Sequence, residues 1–353
     1  MSNGTGIIVK HEDIYYTMIG LCVGDALGVP VEFTSRANLD KHPIDDMVGY
    51  GVFDKPPGTW SDDTSMMLAL ADSLAGGKID YDDIMSKFTK WLYKGAYTTD
   101  GNTFDVGRTT ERAIRKYSKK GTSPLECGGT DINDNGNGSL MRILPATFFL
   151  ASKYEDIFEK EVIEIIHNLS ALTHAHIISK IACVAYCNIA LTILTIRHEL
   201  REDKMWQNNK DRKWLLYTAV AAGTEQGLGY YRDDYCGAEL DEFWDLVPRL
   251  NGYLPFYKRE EIKSSGYVVD TFKAAVWCLL ENDDYASTVL AAVNLGGDTD
   301  TTAAVAGGLA GLFYQDDENV GIPKRWIEGI ENVDLVETIC NKLSQSLCYV
   351  QMD

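Results

Sequence analysis

The chain has 353 residues, of which 52 are acidic and 33 basic, giving a formal charge of -19. That balance excludes a general phosphate-backbone binder, which needs a basic face to displace counterions, and it disfavours a protein held on anionic lipid. Hydrophobic residues at 45% and charged ones at 24% match ordinary globular usage, which excludes wholesale disorder.

The first sixteen residues hold no long apolar stretch and no cleavage pattern, so no signal peptide is expected. Apolar residues then recur at three- and four-residue steps, predicting helices over 15–28, 64–75, 81–93, 108–117, 157–172, 177–200, 213–228, 271–281, 285–295 and 302–314. Only 47–53 reads as a candidate short strand. The longest uncharged run, 181–196, is shorter than the ~20 residues that span a bilayer and predicts a buried helix. The polar stretch 201–211 and the aromatic and acidic stretch 229–263 read as long surface connections. No linker divides the chain. The expectation is an all-α multi-helix bundle with at most minor β structure, forming one domain over 1–353.

Eight cysteines without a CxxC pair or regular spacing point to reduced thiols and a soluble, cytoplasmic protein. Gly20, Gly24 and Gly28 fall at four-residue steps, and so do Ala303, Gly307 and Gly311. On a helix such a stripe has almost no side chains, which lets another helix approach closely.

Two loop-to-helix junctions carry acids. Ser61-Asp62-Asp63-Thr64 follows Gly58, and Asp298-Thr299-Asp300-Thr301 follows Gly296 and Gly297. Either alone is satisfied by helix capping, since Asp, Ser and Thr are the favoured N-caps. A cap needs one side chain, however, and each junction offers two carboxylates with hydroxyls beside them. Were the junctions to meet, four carboxylates would converge, and like charges at that distance stay ionised only around a cation. Oxygen donors without nearby His or Cys favour a hard ion, Mg²⁺, Mn²⁺ or Ca²⁺. Asp25 lies on the first glycine-striped stretch, and Pro30 ends that helix so that Glu32 projects from the following turn. Asp25 reads equally as a site residue or as a buried acid bonding a neighbouring helix end.

Seven segments, 20–33 (GLCVGDALGVPVEF), 58–74, 102–110 (NTFDVGRTT), 136–145 (GNGSLMRILP), 172–176, 265–277 and 294–314, together resemble the ADP-ribosylglycohydrolase family. They occur in the family's order across nearly the whole chain. The pieces around Asp105 and Tyr267 look closest to the branch containing the dinitrogenase reductase-activating and ADP-ribosylarginine hydrolases. The resemblance implies a compact helical fold with two divalent cations, Mg²⁺ or Mn²⁺, at the base of a cleft. It places Ser61, Asp62 and Asp63 on one ion, Asp298, Asp300 and Thr301 on the other, Asp300 between them and Glu32 alongside. Relatives commonly carry threonine where this chain has Ser61, and the hydroxyl is kept. Asn137, Gly138 and Ser139, with Leu140, Met141 and Gly297 nearby, would hold diphosphate and ribose. His174 would contact the ligand and Tyr267 would stack on adenine. A metal pair of His174 and His176 is rejected, because two residues apart on a helix they share no face.

The implied activity is hydrolysis of the N-glycosidic bond between ADP-ribose and a protein side chain, with arginine favoured. Asp62 and Asp63 would be essential metal-site acids, Glu32 would act beside them, and Asp105 would meet the guanidinium or assist proton transfer. Alone, Asp105 reads as a helix cap and Gly136–Ser139 as a turn. The partner would be an ADP-ribosylated protein, the product ADP-ribose, and the enzyme a monomer. The alternatives are a catalytically inactive ADP-ribose binder of this fold, a hydrolase of the serine linkage, and a dinuclear phosphohydrolase that cuts the diphosphate.

Overall fold

Helices carry the whole architecture of the computed structural model, which describes residues 7–154, 159–200, 204–232, 237–246 and 253–348. Those of nine residues or more are α1 (His11–Gly28), α2 (Asp62–Leu74), α3 (Tyr81–Lys94), α4 (Arg108–Lys120), α5 (Leu144–Lys153) and α6 (Lys160–Ala171). They continue with α7 (Ile177–Leu200), α8 (Asn209–Gly229), α9 (Val268–Glu281), α10 (Tyr285–Val293), α11 (Thr299–Tyr314) and α12 (Val333–Cys348). The described residues contain isolated β-bridges and no strand. The stretch expected as a strand, 47–53, is instead a loop closed by a Tyr50–Lys55 bridge and a 3-10 turn, Gly51–Phe53.

The two small-residue stripes are partners of one another. A Cβ added at Gly20 would lie 2.5 Å from Gly307 O, and one at Gly24 would lie 2.6 Å from Ala303 C. A Cβ at Gly28 would lie 2.5 Å from Thr299 C. The α1 and α11 backbones therefore touch along their length, and every residue of α11 is buried. Glycine costs about 1 kcal/mol against alanine in a helix, and here the close approach offsets it. Tyr285 Oη donates to Gly20 O at 2.6 Å, and Thr299 Oγ1 donates to Gly28 O at 2.8 Å. At the far end Asp13 joins the pair, accepting from Gln315 Nε2 at 2.9 Å.

Two helices escaped the periodicity. Pro145 sits in the first turn of α5, where its missing N–H costs nothing, so it starts a helix rather than closing a loop. α12 buries Val336, Ile339, Cys340, Leu343 and Leu347, a three- and four-residue pattern that packs on α1 and α2. α6 begins at Lys160; the expected start at 157 falls outside the described residues. α7 runs 24 residues, long enough to span a bilayer, as is His11–Val31. In each, 83% of the apolar window is buried against other helices. Six cysteines are free thiols and all six are buried; Cys236 falls outside the described residues. The stretch 229–263 is not wholly surface, since Tyr231, Phe243 and Leu254 are core residues.

Candidate metal centre and binding cleft

The helix pair brings the two acidic junctions together. Ser61 is the N-cap of α2 and its hydroxyl accepts from Asp63 N, while Asp298 is the N-cap of α11. Both helices begin two or three residues earlier than the periodicity indicates, so Asp62, Asp63 and Asp300 stand in first turns, at the positive end of the helix dipole. Asp25, on α1, accepts from Ser61 N at 2.9 Å, Thr64 N at 3.0 Å and Thr64 Oγ1 at 2.6 Å. It caps α2 from a different helix.

Asp25, Asp63 and Asp300 each present an oxygen within 4.8 Å of the other two, and Glu32, Asp298 and Asp300 form a second such group. Asp300 belongs to both. The two groups differ in how their oxygens are engaged. Asp25 is saturated by the N-terminus of α2, whereas Glu32 Oε2, Asp63 Oδ1, Asp298 Oδ1 and Asp300 Oδ2 are buried with no hydrogen-bond partner. A buried carboxylate oxygen with no donor costs several kcal/mol, and a cation is the one partner that serves four at once. The donors are all oxygen, so the cluster fits a hard divalent ion. Asp62, nearly as buried, faces the same space.

Without a cation, Glu32, Asp62, Asp63 and Asp300 favour their protonated forms. Burial, then Asp105 and Asp298, pushes Glu32 up to about 10; burial, then Asp298, pushes Asp105 up to about 6. Asp62, Asp63 and Asp300 are driven well above the carboxylate range, chiefly by burial and then by a neighbouring acid, Asp105 for Asp62, Asp25 for Asp63 and Glu32 for Asp300. The folded state thus binds more protons than the unfolded one above the ordinary carboxylate pKa of about 4, so stability falls as pH rises. Metal-free protein is expected to melt at a higher temperature at pH 5 than at pH 8. Added divalent ion should recover the difference at pH 8, as thermal scans at the two pH values would establish.

Above the acids lies a cleft of about 870 Å³, within the range of a small-molecule site. Glu32, Asp62, Asp105, Asp298 and Thr301 are at its floor, and Asn137, Gly138, Met141, His174 and Tyr267 line its wall. Tyr267 is fixed there by a bridge to Gly136, with Asn137 N donating to Gly266 O and Val268 N to Asn135 O. Asp105 has φ 49 and lines the cleft beside Glu32. His174 lies in a bridge rather than a helix, paired with Gly129. Its Nδ1 meets Thr173 Oγ1 at 2.8 Å, and burial, then Arg142 and Arg112, lowers its pKa to about 3. Burial thus favours its neutral imidazole form.

Three residues expected at the ligand, Ser139, Leu140 and Gly297, do not line the cleft, whereas Asn137 lines it. Ser139 Oγ accepts from Ser170 and Leu140 is a core residue, so both side chains lie behind the wall. Asn137 Nδ2 donates to Asp298 Oδ2 and Thr271 Oγ1, each at 2.9 Å, so its side chain steers an acid. Gly297, at φ 77, is paired through its backbone with Phe33 N and Thr34 O and anchors the Glu32 turn instead of lining the cleft. Arg142, buried beneath the wall, donates to Gly138 O and to Leu169 O. Arg142→Met should weaken binding of a ligand in the cleft by roughly tenfold, through loss of buried charged hydrogen bonds that hold the turn. Titration calorimetry should show divalent-ion binding unchanged in that variant. Phe33, Val106 and Arg108 line the cleft from within the sequence motifs, with no role expected of them there, and Ile132 and Glu242 line it from outside those motifs.

A helical fold with a glycine-striped contact between two helices and a carboxylate-floored cleft defines a class of site fitted to a hard metal ion. Residues 9–350 match the ADP-ribosylglycohydrolase family. Over 327 residues the chain is 31% identical to the ADP-ribosylarginine hydrolase Tri1 of Serratia proteamaculans, covering 92% of this chain and 77% of that one. It is 30% identical over 324 residues to the ADP-ribosyl-[dinitrogen reductase] glycohydrolase of Rhodospirillum rubrum, covering 91% of each. A solved structure titled ADP-ribosylglycohydrolase-related protein complex superposes with TM-score 0.69 at 26% identity, covering 96% of this chain and 99% of that one. The chain belongs to the ADP-ribosylglycohydrolase family and is an enzyme of that class.

Proposed function

We propose that the protein hydrolyses the N-glycosidic bond between ADP-ribose and an arginine side chain of a modified protein, using two divalent cations, Mg²⁺ or Mn²⁺. The observation that carries this reading is the set of partnerless buried oxygens on Glu32, Asp63, Asp298 and Asp300 at the base of the cleft. Asp63, Asp62 and Asp300 would hold one ion, with Ser61 beside them. Asp298, Asp300, Thr301 and Glu32 would hold the other. When bound, the ions supply charge neutralisation and Lewis-acid polarisation for the ribose hydroxyls and a water.

The chain's own residues do the rest. Gly136–Ser139 presents a turn whose Gly138 N–H suits the diphosphate, and Gly138 lets His174 and Thr110 close on it. His174 contributes packing and a neutral polar edge. Tyr267 offers a ring face to adenine. Asp105 and Glu32, which line the same cleft, can pass a proton to the departing guanidinium nitrogen while charge builds on the ribose. Asp105 also offers a carboxylate to the guanidinium, and the relatives named for arginine favour that linkage over serine. The protein would act as a monomer in the cytoplasm.

Incubation with arginine-, serine- and aspartate-linked ADP-ribosylated proteins, with and without chelator, tests the reading. Free ADP-ribose from the arginine substrate alone, lost on chelation, is the expected result. Release from serine instead would move the linkage, AMP with ribose phosphate would indicate diphosphate cleavage, and ligand binding without product would leave only a binder.

A further inference from the structure

Beside the cleft, large apolar side chains stand in solvent where the backbone is strained. Phe33 is 69% exposed, Tyr50 59%, Val52 50% and Val48 40%. Val48, Tyr50 and Val52 alternate along one short loop. That loop is seated on the turn that carries Glu32: Gly51 packs so closely on Pro30 that a Cβ would lie 2.9 Å from Pro30 Cα. On its other side it grips the segment that carries Asp105. The Phe53 and Phe104 ring centroids are 5.1 Å apart, and Lys55 Nζ lies 5.0 Å over Phe104 and 2.9 Å from Asp100. Phe33, three residues beyond Pro30, is the member of the group that lines the cleft itself.

Phe33, Tyr50 and Asp54 hold φ values of 61, 66 and 52, and Tyr50 has ψ -111. Non-glycine residues in such regions cost of order 1–3 kcal/mol and persist where the surroundings enforce them. Here the surroundings keep these side chains outward although burial would stabilise each of them. Exposed Asp45 and Asp54 flank the patch, and the nearby cation Lys55 is already paired. An apolar surface edged by acids and continuous with the cleft complements a polypeptide that is apolar in its middle and basic at its edges.

We propose that Phe33, Val48, Tyr50 and Val52 are a docking surface for the stretch of substrate protein that flanks the modified side chain. This rests on the reading of the cleft as the site for an ADP-ribosylated side chain. The surface contributes affinity for protein substrates and nothing to a substrate that lacks a polypeptide.

The test compares the Tyr50→Asn/Val52→Ser protein with the unsubstituted one on two substrates, an arginine-ADP-ribosylated protein and ADP-ribosyl-agmatine. Asparagine is among the non-glycine residues that most often take positive φ, and a melting curve checks that the fold is kept. Loss of two interface side chains is expected to lower kcat/KM for the protein substrate by about tenfold, through KM, and to leave the agmatine substrate within about twofold. An equal fall on both substrates would mean that the loop only braces Glu32 and Asp105, and no fall on either would mean that nothing docks there; each overturns the proposal. Failure of the unsubstituted protein to release ADP-ribose from either substrate overturns the reading of the cleft, and the docking surface with it.

Discussion

An Asp300→Asn protein is expected to lose at least about a thousandfold in turnover, some 4 kcal/mol of barrier, while becoming more stable in metal-free buffer. The two effects have one cause. Asp300 is wholly buried and is the acid shared by both carboxylate groups. Its Oδ1 accepts from Thr301 N at 2.9 Å, a bond that asparagine keeps. Its Oδ2 has no partner, and burial followed by Glu32 and Asp63 drives its pKa well up. An amide there is neutral without having to take up a proton and can donate to the neighbouring acids, so the melting temperature without metal should rise by about 1–2 °C per kcal/mol regained. The same change removes the ligand common to both ions. Divalent cation should then no longer raise the melting point. Retained turnover together with a retained cation shift would sink the shared-ligand arrangement, whereas a loss of stability in chelator would show that Asp300 serves the fold.

The acids of this site were legible because their immediate neighbours explain them. Two carboxylates with hydroxyls and glycines at a helix start exceed what capping needs, and the excess is visible over seven residues. Asp25 was not legible in the same way. Its donors lie 36 and 39 positions further on, and nothing local distinguishes a saturated acid from a ligand. The convergence of the two junctions depends on contact between helices that start almost three hundred residues apart, but the matched stripes at Gly20-Gly24-Gly28 and Ala303-Gly307-Gly311 encode it. Each stripe exists because the other does. Motif matching overreached at Ser139 and Leu140, since in a tight 3-10 turn consecutive side chains leave in different directions and two of them enter the core. The 229–263 stretch was misjudged because its aromatic anchors, Tyr231 and Phe243, are too widely spaced to register as periodic.

The stripes also make the floor of the cleft sensitive to a single methyl group. Gly28→Ala is expected to destabilise the protein by about 3 kcal/mol, the upper part of the range for overpacking, because the new Cβ meets backbone rather than a flexible side chain. It would lie 2.5 Å from Thr299 C and closer still to Asp300 N and Cα. Neither helix can simply retreat, since Thr299 Oγ1 holds Gly28 O and Tyr285 Oη holds Gly20 O. The strain must open the pair at the end where Glu32 follows α1 and Asp300 begins α11, which spreads the carboxylates. Gly20→Ala meets an equal obstacle, Gly307 O at 2.5 Å, but two turns away from the acids. Both variants should lose stability to a similar degree. Only Gly28→Ala should also lose most of its melting-point response to divalent cation and its turnover at saturating cation. A Gly28→Ala protein that is merely less stable, with the cation response of Gly20→Ala, would show that helix packing and carboxylate geometry are independent, contrary to the direct contact between Gly28 and Asp300.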